Sequence, residues 1–276
     1  MEKNFIGEDT ENFHTDLAVE FGRNINIECE NDVLKRSTVD VDKDYSKKSG
    51  KPVGRYITIE SNVVKEGNKS CFVKVAEELA KSLENMMDSL NCLVVGLGNP
   101  DMTADSLGKR VLSKIMITRH LGYGKDMPNI SGISPNVLGV TGIESFDIVK
   151  GVVDRIKPDV VLVVDSLAGA TVGRIASAFQ ISNAGITPGS GVSNHRARLD
   201  KNTLGCQVIS LGVPLVVYAS TIIENATKGK IDKFDKDIGN MVVTPKDVDL
   251  LVGDCADIMA RAINIAFFGT DFEGLV

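Results

Sequence analysis

Cys92-Leu-Val-Val-Gly-Leu-Gly-Asn-Pro-Asp-Met-Thr-Ala-Asp105-Ser-Leu-Gly108 and, further along, Val161-Leu-Val-Val-Asp165-Ser-Leu-Ala168 decide how this chain is read. Each is a short, unbroken apolar run followed by a carboxylate. Strands buried on both faces of a parallel sheet read as continuous runs of Val, Leu and Ile, and the carboxyl ends of such strands are where open α/β sheets gather their chemistry. Asp105 and Asp165, 60 residues apart, are therefore a candidate pair of catalytic residues.

The surrounding pattern extends the alternation. Tyr56 to Glu60 alternates as a strand, Phe72 to Leu90 has helical spacing, and Cys92 to Gly96 is a strand. Asp105 to Leu121 reads as a helix with Leu107, Val111, Leu112 and Ile115 on one stripe. Glu144 to Ile156 follows as an amphipathic helix and Asp159 to Val164 as a buried strand. Gln207 to Gly212 and Leu215 to Tyr218 are further strands, and Pro245 to Phe268 is a closing helix. Strands alternating with helices predict an α/β fold of three αβα layers with a mostly parallel or mixed sheet. Residues 17–50 are polar and end in Asp42-Lys-Asp-Tyr-Ser-Lys-Lys-Ser-Gly-Lys-Pro52, which reads as an arm or flexible connection before the compact fold.

Composition narrows the function classes. The chain has 276 residues, 43% hydrophobic and 25% charged, enough for one large domain. A formal net charge of -6 argues against a nucleic-acid surface, which needs concentrated Lys and Arg. The cysteines, Cys29, Cys71, Cys92, Cys206 and Cys255, have no metal-ligand spacing, so no metal or other cofactor is expected. No secretory segment opens the chain, and no apolar run approaches the roughly 20 residues that span a bilayer. The expectation is a soluble protein of the reducing cytoplasm with no membrane partner.

The Gly96-Leu-Gly-Asn-Pro100 loop suggests a dinucleotide site, but the third glycine of that fingerprint would fall at Asp101, an acid that repels phosphate. The glycines are better read as a tight strand-to-loop turn, with Asn99 able to hydrogen-bond a substrate amide. Taken alone, Asp105 is also explained as a helix N-terminal acid and Asp165 as a strand-end cap. If they converge, the helix dipole favours the charged form of Asp105 and the apolar approach favours the neutral form of Asp165, so one serves as base and the other as acid. Gln180 to Arg198, with Gly185, Gly189, Ser190 and Gly191 running into His195, Arg196 and Arg198, is a loop suited to line a cleft.

Several ordered motifs together carry a family resemblance. Thr15-Asp-Leu-Ala-Val-Glu20, Gly54-Arg-Tyr-Ile-Thr-Ile-Glu-Ser61, Val94-Val-Gly-Leu-Gly-Asn99, Ile117-Thr-Arg-His-Leu121, Gly139-Val-Thr-Gly-Ile-Glu144, Ile186-Thr-Pro-Gly-Ser-Gly-Val192 and Met241-Val-Val-Thr-Pro-Lys-Asp-Val-Asp249 resemble the germination protease of endospore-forming bacteria nearly end to end. The resemblance implies an endopeptidase that degrades small acid-soluble spore proteins in the spore core. It implies a homotetramer made as a zymogen, an aspartic but non-pepsin mechanism with the essential aspartates at Asp105 and Asp165, and a fold like that of hydrogenase-maturation proteases. Thr15 to Glu20 looks like a self-encoded copy of the family's cleavage sequence, which places self-cleavage between Asp16 and Leu17 and makes residues 1–16 a propeptide. Because substrate acids flank that bond, Arg174, Arg196 or Arg198 is expected to pair with them. Family members carry a long insertion after the segment ending at Thr221, where this chain has only about 20 residues before Val242-Val-Thr-Pro.

Three other readings stand beside this one. Peptidyl-tRNA hydrolase shares a glycine–asparagine strand end and a Thr-Arg-His segment, but here the spacing from Asn99 to His120 is about twice as long and the charge is wrong for tRNA. A hydrogenase-maturation-like hydrolase would need a histidine beside the carboxylates. A non-catalytic binder of spore proteins would keep the aspartates as vestiges.

Overall fold

The computed structural model of the protein describes residues 15–22, 24–122, 124, 127–188, 197–227 and 236–270. In chain order its elements are β1 (Ile25–Glu30), β2 (Lys35–Val41), α1 (Lys43–Ser49), β3 (Gly54–Glu60), α2 (Phe72–Glu84), β4 (Asn91–Gly96), α3 (Leu107–Leu112), β5 (Asn129–Ile133), α4 (Leu138–Thr141) and α5 (Ser145–Ile156). There follow β6 (Val160–Gly169), β7 (Ala178–Ser182), α6 (Lys201–Leu204), β8 (Gln207–Tyr218), α7 (Ala219–Thr227), α8 (Lys236–Gly239), β9 (Val242–Val243) and α9 (Val248–Phe268). The strands form one mixed sheet in the order β1-β2-β3-β7-β8-β6-β4-β5, with β9 added to β8. The stretch β8-β6-β4-β5 is parallel and the remaining pairings are antiparallel.

The apolar runs that looked buried on both faces are so. Cys92, Val94, Val160, Leu162 and Val164 point toward α2 and α9, where Leu79, Leu83, Met259 and Ile263 meet them. Leu93, Val95, Val161 and Val163 point the other way, onto Val149 and Val153 of α5. Alternation along each strand thus supplies both apolar layers of an αβα sandwich.

Five local readings change. Residues 17–50, expected to be an arm or flexible connection, carry β1, β2 and α1, and β2 adds to the main sheet through β3. β1 is an edge strand with mostly exposed side chains, and an exposed edge has the polar composition of a loop. β6 does not stop at Val164 but runs through Asp165 to Gly169, and β8 is continuous across the two expected strands. Pro214 is tolerated in the middle of β8 because the β6–β8 register slips opposite it, between Leu167 and Ala168.

The helix expected to reach Leu121 ends at Leu112. Beyond it the backbone finds tertiary partners instead: Met116 N–H donates to Asn264 Oδ1 (2.9 Å) and Thr118 N–H to the Ile130 carbonyl of β5 (3.0 Å). The helix expected from Phe72 to Leu90 likewise ends early, at Glu84.

Candidate active site

β4 ends at Gly96, paired with Val164, whereas β6 continues; Asp165 is the first residue of β6 past that end. The chain leaving β4 folds back so tightly that Gly98 adopts φ +97° and a Cβ there would lie 2.1 Å from the Asp105 carbonyl oxygen. A Cβ on Gly96 would meet the Gly108 carbonyl at 2.3 Å. The glycines of the quoted loop therefore bring the Asp105 turn and α3 against the end of β4. Asp105 closes a 3-10 turn, Thr103–Asp105, just before α3.

Its carboxylate accepts from the Asn99 N–H (2.7 Å) and from Ser166 Oγ (3.2 Å), while the Ser166 N–H donates to Asp165 Oδ1 (2.9 Å). Ser166 thus ties the two aspartates together. Burial pushes both carboxyls above the ordinary carboxylate range. For Asp105 the two donors, Asn99 N–H and Ser166 Oγ, oppose that push. Asp165 is displaced further, because burial is reinforced by the negative neighbours Asp105 and Asp16. Asp105 and Asp165 therefore titrate as a coupled pair.

Asp16 is present because the chain's own Thr15–Glu20 segment occupies the site. Asp16, Asp105, Asp165, Asn99, Lys51 and Gln180 share the lining of a cavity of about 670 Å³. The segment docks on the second half of β6: Asp16 N–H donates to the Ala168 carbonyl (2.8 Å), and Ala168 N–H donates to Asp16 Oδ2 (2.8 Å). Leu17 is 0% exposed, packed with Val19, Leu167 and Ala178, a burial worth about 1.5–3 kcal/mol. Ala18 packs on Val39, Tyr56 and Ala184.

Glu20, 2% exposed, accepts from Ala170 N–H (2.8 Å) and from the Thr15 hydroxyl, and Arg174 Nε lies 3.2 Å from its other oxygen. Arg174 also pairs with Glu60 on β3. Burial still outweighs these partners and lifts the Glu20 carboxyl above its usual range. Lys51 donates to the Thr15 carbonyl (2.6 Å) and lies 5.6 Å from the centre of the Phe21 ring. Burial pushes its ammonium down, opposed by Asp16 and Glu20.

Of the arginines proposed from sequence, Arg174 meets an acid of the segment. Arg198 lines the cavity but is committed to Asp200 (3.3 Å) and the Ala184 carbonyl (2.8 Å). Arg196 and Ser190 lie outside the described residues. The Asn99 side chain accepts from Asp101 N–H (3.0 Å), so it shapes its own turn, and its backbone N–H serves Asp105. Sequence reasoning missed Ser166 and Lys51, and gave Gln180 only as the first residue of the cleft-lining loop. Ser166 stands next to Asp165 in the quoted run and was legible there; Lys51, in the connection between α1 and β3, and Gln180, on β7, meet the segment only through the tertiary fold.

An α/β sheet whose paired carboxylates share a cavity with a peptide segment of the same chain defines a hydrolase-like site built for an extended polypeptide. The chain belongs to the germination protease family, which matches it over residues 6–241, and so to a family of peptidases. It is 37% identical to the germination protease of Clostridium perfringens (strain ATCC 13124) over 310 residues, covering 92% of this chain and 95% of that one. It is 40% identical to the Bacillus subtilis germination protease over 305 residues, covering 84% of this chain and 83% of that one. Both alignments are longer than the 276 residues of this chain, so these relatives carry residues that it lacks. Among solved structures the chain is similar to a NiFe hydrogenase maturation protease from Thermococcus kodakarensis, at 19% identity and a TM-score of 0.36, covering 66% of this chain and 98% of that one. The strand order alone carries the fold. No helix among the described residues is long and apolar enough to cross a membrane.

Proposed function

We propose that the chain is a self-processing endopeptidase of the spore interior that cuts its own Asp16–Leu17 bond and then small acid-soluble spore proteins, using Asp105 and Asp165. The observation that carries this reading is the seating of Thr15–Glu20 beside the two aspartates, held by Ala168, Ala170 and Arg174. A segment bound this way is a template for the substrate: an acid before the scissile bond, a buried apolar residue after it, and a glutamate three residues further on.

The proposed chemistry divides the roles of base and acid between the two carboxyls. Ionised Asp105 takes a proton from water as its oxygen attacks the carbonyl carbon of residue 16. Neutral Asp165 gives its proton to the nitrogen of residue 17 as the C–N bond breaks, leaving a new carboxyl group at residue 16 and a new amine at residue 17. Residues 1–16 are then the propeptide of a zymogen, and assembly as a homotetramer in the cytoplasm of the forespore belongs to the same reading.

The test is intact mass over time, for the chain alone and mixed with a small acid-soluble spore protein, comparing wild type with Asp105→Asn and Asp165→Asn. Loss of residues 1–16 and substrate cutting after an acid in wild type only is the expected result. Unchanged masses with tight binding identify a binding protein instead, and cutting that survives both substitutions places the chemistry elsewhere.

A further inference from the structure

Gln180, on β7, is 6% exposed and makes two hydrogen bonds to the docked segment. Its Nε2–H donates to the carbonyl oxygen of Asp16 (3.0 Å), and its Oε1 accepts from the N–H of Ala18 (2.8 Å). The partners fix which end of the amide is which, since a carbonyl only accepts and a backbone N–H only donates. The Asp16 carbonyl belongs to the bond assigned above for cleavage, and the Ala18 N–H lies one residue past it. One side chain therefore brackets the scissile peptide from both sides.

The sheet explains why the bracket is rigid and where it faces. Thr58 of β3, Gln180 of β7, Gly212 of β8 and Asp165 of β6 lie in one register row across four neighbouring strands. Side chains in such a row project from the same face. Gln180 and Asp165 are two strands apart, about 10 Å at the usual strand spacing. The residue between them is a glycine, so no side chain rises from the sheet between the two. The segment lies across that gap, gripped by Gln180 on β7 and by the Ala168 backbone on β6.

We propose that Gln180 is a catalytic residue for the cleavage at residue 16: it holds the carbonyl that is attacked and stabilises the negative charge that develops on its oxygen, while its own carbonyl fixes the chain on the leaving side. The inference rests on the assignment of the scissile bond and adds an electrophilic group to the aspartate pair. It also extends the substrate class, because the grip is on backbone: a substrate needs a free N–H two residues after the acid, which proline cannot supply.

The test is the rate of self-cleavage of the full-length chain, followed by intact mass between about pH 5 and 8, for wild type, Gln180→Leu, Gln180→Glu, Asp105→Asn and Asp165→Asn, with thermal melts as a check of folding. Gln180→Leu should cut about 10²- to 10³-fold more slowly at every pH, the usual loss when one oxyanion donor is removed. Gln180→Glu should be nearly inactive when ionised, because a carboxylate only accepts, and should recover relative to wild type as the pH falls. A protonated carboxyl can again donate to one partner and accept from the other. A purely structural role would not produce that pH-dependent ratio.

A folded Gln180→Leu chain that cuts within about threefold of wild type, or a Gln180→Glu ratio that does not change with pH, overturns the inference. If the aspartate variants are inactive in that case, the aspartate reading stands alone. If instead they cut at the wild-type rate while Gln180→Leu does not, the aspartate reading falls and the role of Gln180 stands. A wild-type chain that never cuts at Asp16 removes both.

Discussion

Arg174→Ala should release the docked segment far more than Glu20→Gln does, although both substitutions break the same ion pair. Glu20 is 2% exposed and the Arg174 side chain 20%, so the pair is largely out of water. Removing the arginine leaves a buried carboxylate without its charge partner, which costs about 3–5 kcal/mol. At 1.4 kcal/mol per tenfold, the undocked population rises about 100- to 4,000-fold. Glu20→Gln keeps an acceptor for the Ala170 N–H, relieves the burial of a charge, and leaves Arg174 on Glu60. Its cost is the difference between a charged and a neutral hydrogen bond, about 1 kcal/mol or somewhat more, less than about tenfold.

The assay is amide hydrogen exchange of Asp16 and Ala18, whose N–H groups are bonded to Ala168 and Gln180. Exchange of these two amides reports the opening equilibrium of the segment. Adding Glu20→Gln to Arg174→Ala should restore much of the lost protection, because the stranded charge is gone. Equal losses in the two single variants, or no restoration in the double, would refute the reasoning.

Further expectations follow from the same geometry. Gly98→Ala forces a residue with a side chain to φ +97° with its Cβ against Asp105, so it should lower the melting temperature and abolish self-cleavage together; a stable, active variant would contradict the role given to that turn. Leu17→Ala should weaken docking by about 2–5 kcal/mol, read as faster exchange at Asp16, and unchanged exchange would mean that Leu17 does not anchor the segment. Asp165 binds its proton more tightly in the folded chain than at its ordinary value of 3.8, so in the window above 3.8 the folded state holds the extra proton and stability falls as pH rises. Asp165→Asn should therefore stabilise the chain against denaturant at pH 8 more than at pH 4, and an equal offset at both would count against the raised value.

The sequence by itself determined the parallel centre of the sheet, because burial on both faces demands the unbroken runs Cys92–Val95 and Val161–Val164, and that demand is local. It also singled out Asp165, as the acid directly after such a run, Asp105, as a carboxylate on the loop that leaves the other, and Thr15–Glu20 as an expected cleavage sequence through the family likeness. The β1–β2 hairpin escaped it because an exposed edge strand has the composition of a loop. The length of β6 escaped it because only pairing with β8, past the end of β4, keeps that strand going beyond Asp165.

Tertiary structure alone decided what meets the aspartates. Gln180 and Asp165 share one row through the register of β7, β8 and β6, and Arg174 meets Glu20 only because the N-terminal segment lies along β6. Register and docking are settled by contacts between residues far apart in the chain, such as Ala18 with Gln180, 162 positions apart. A periodicity read along one strand carries no information about its neighbours.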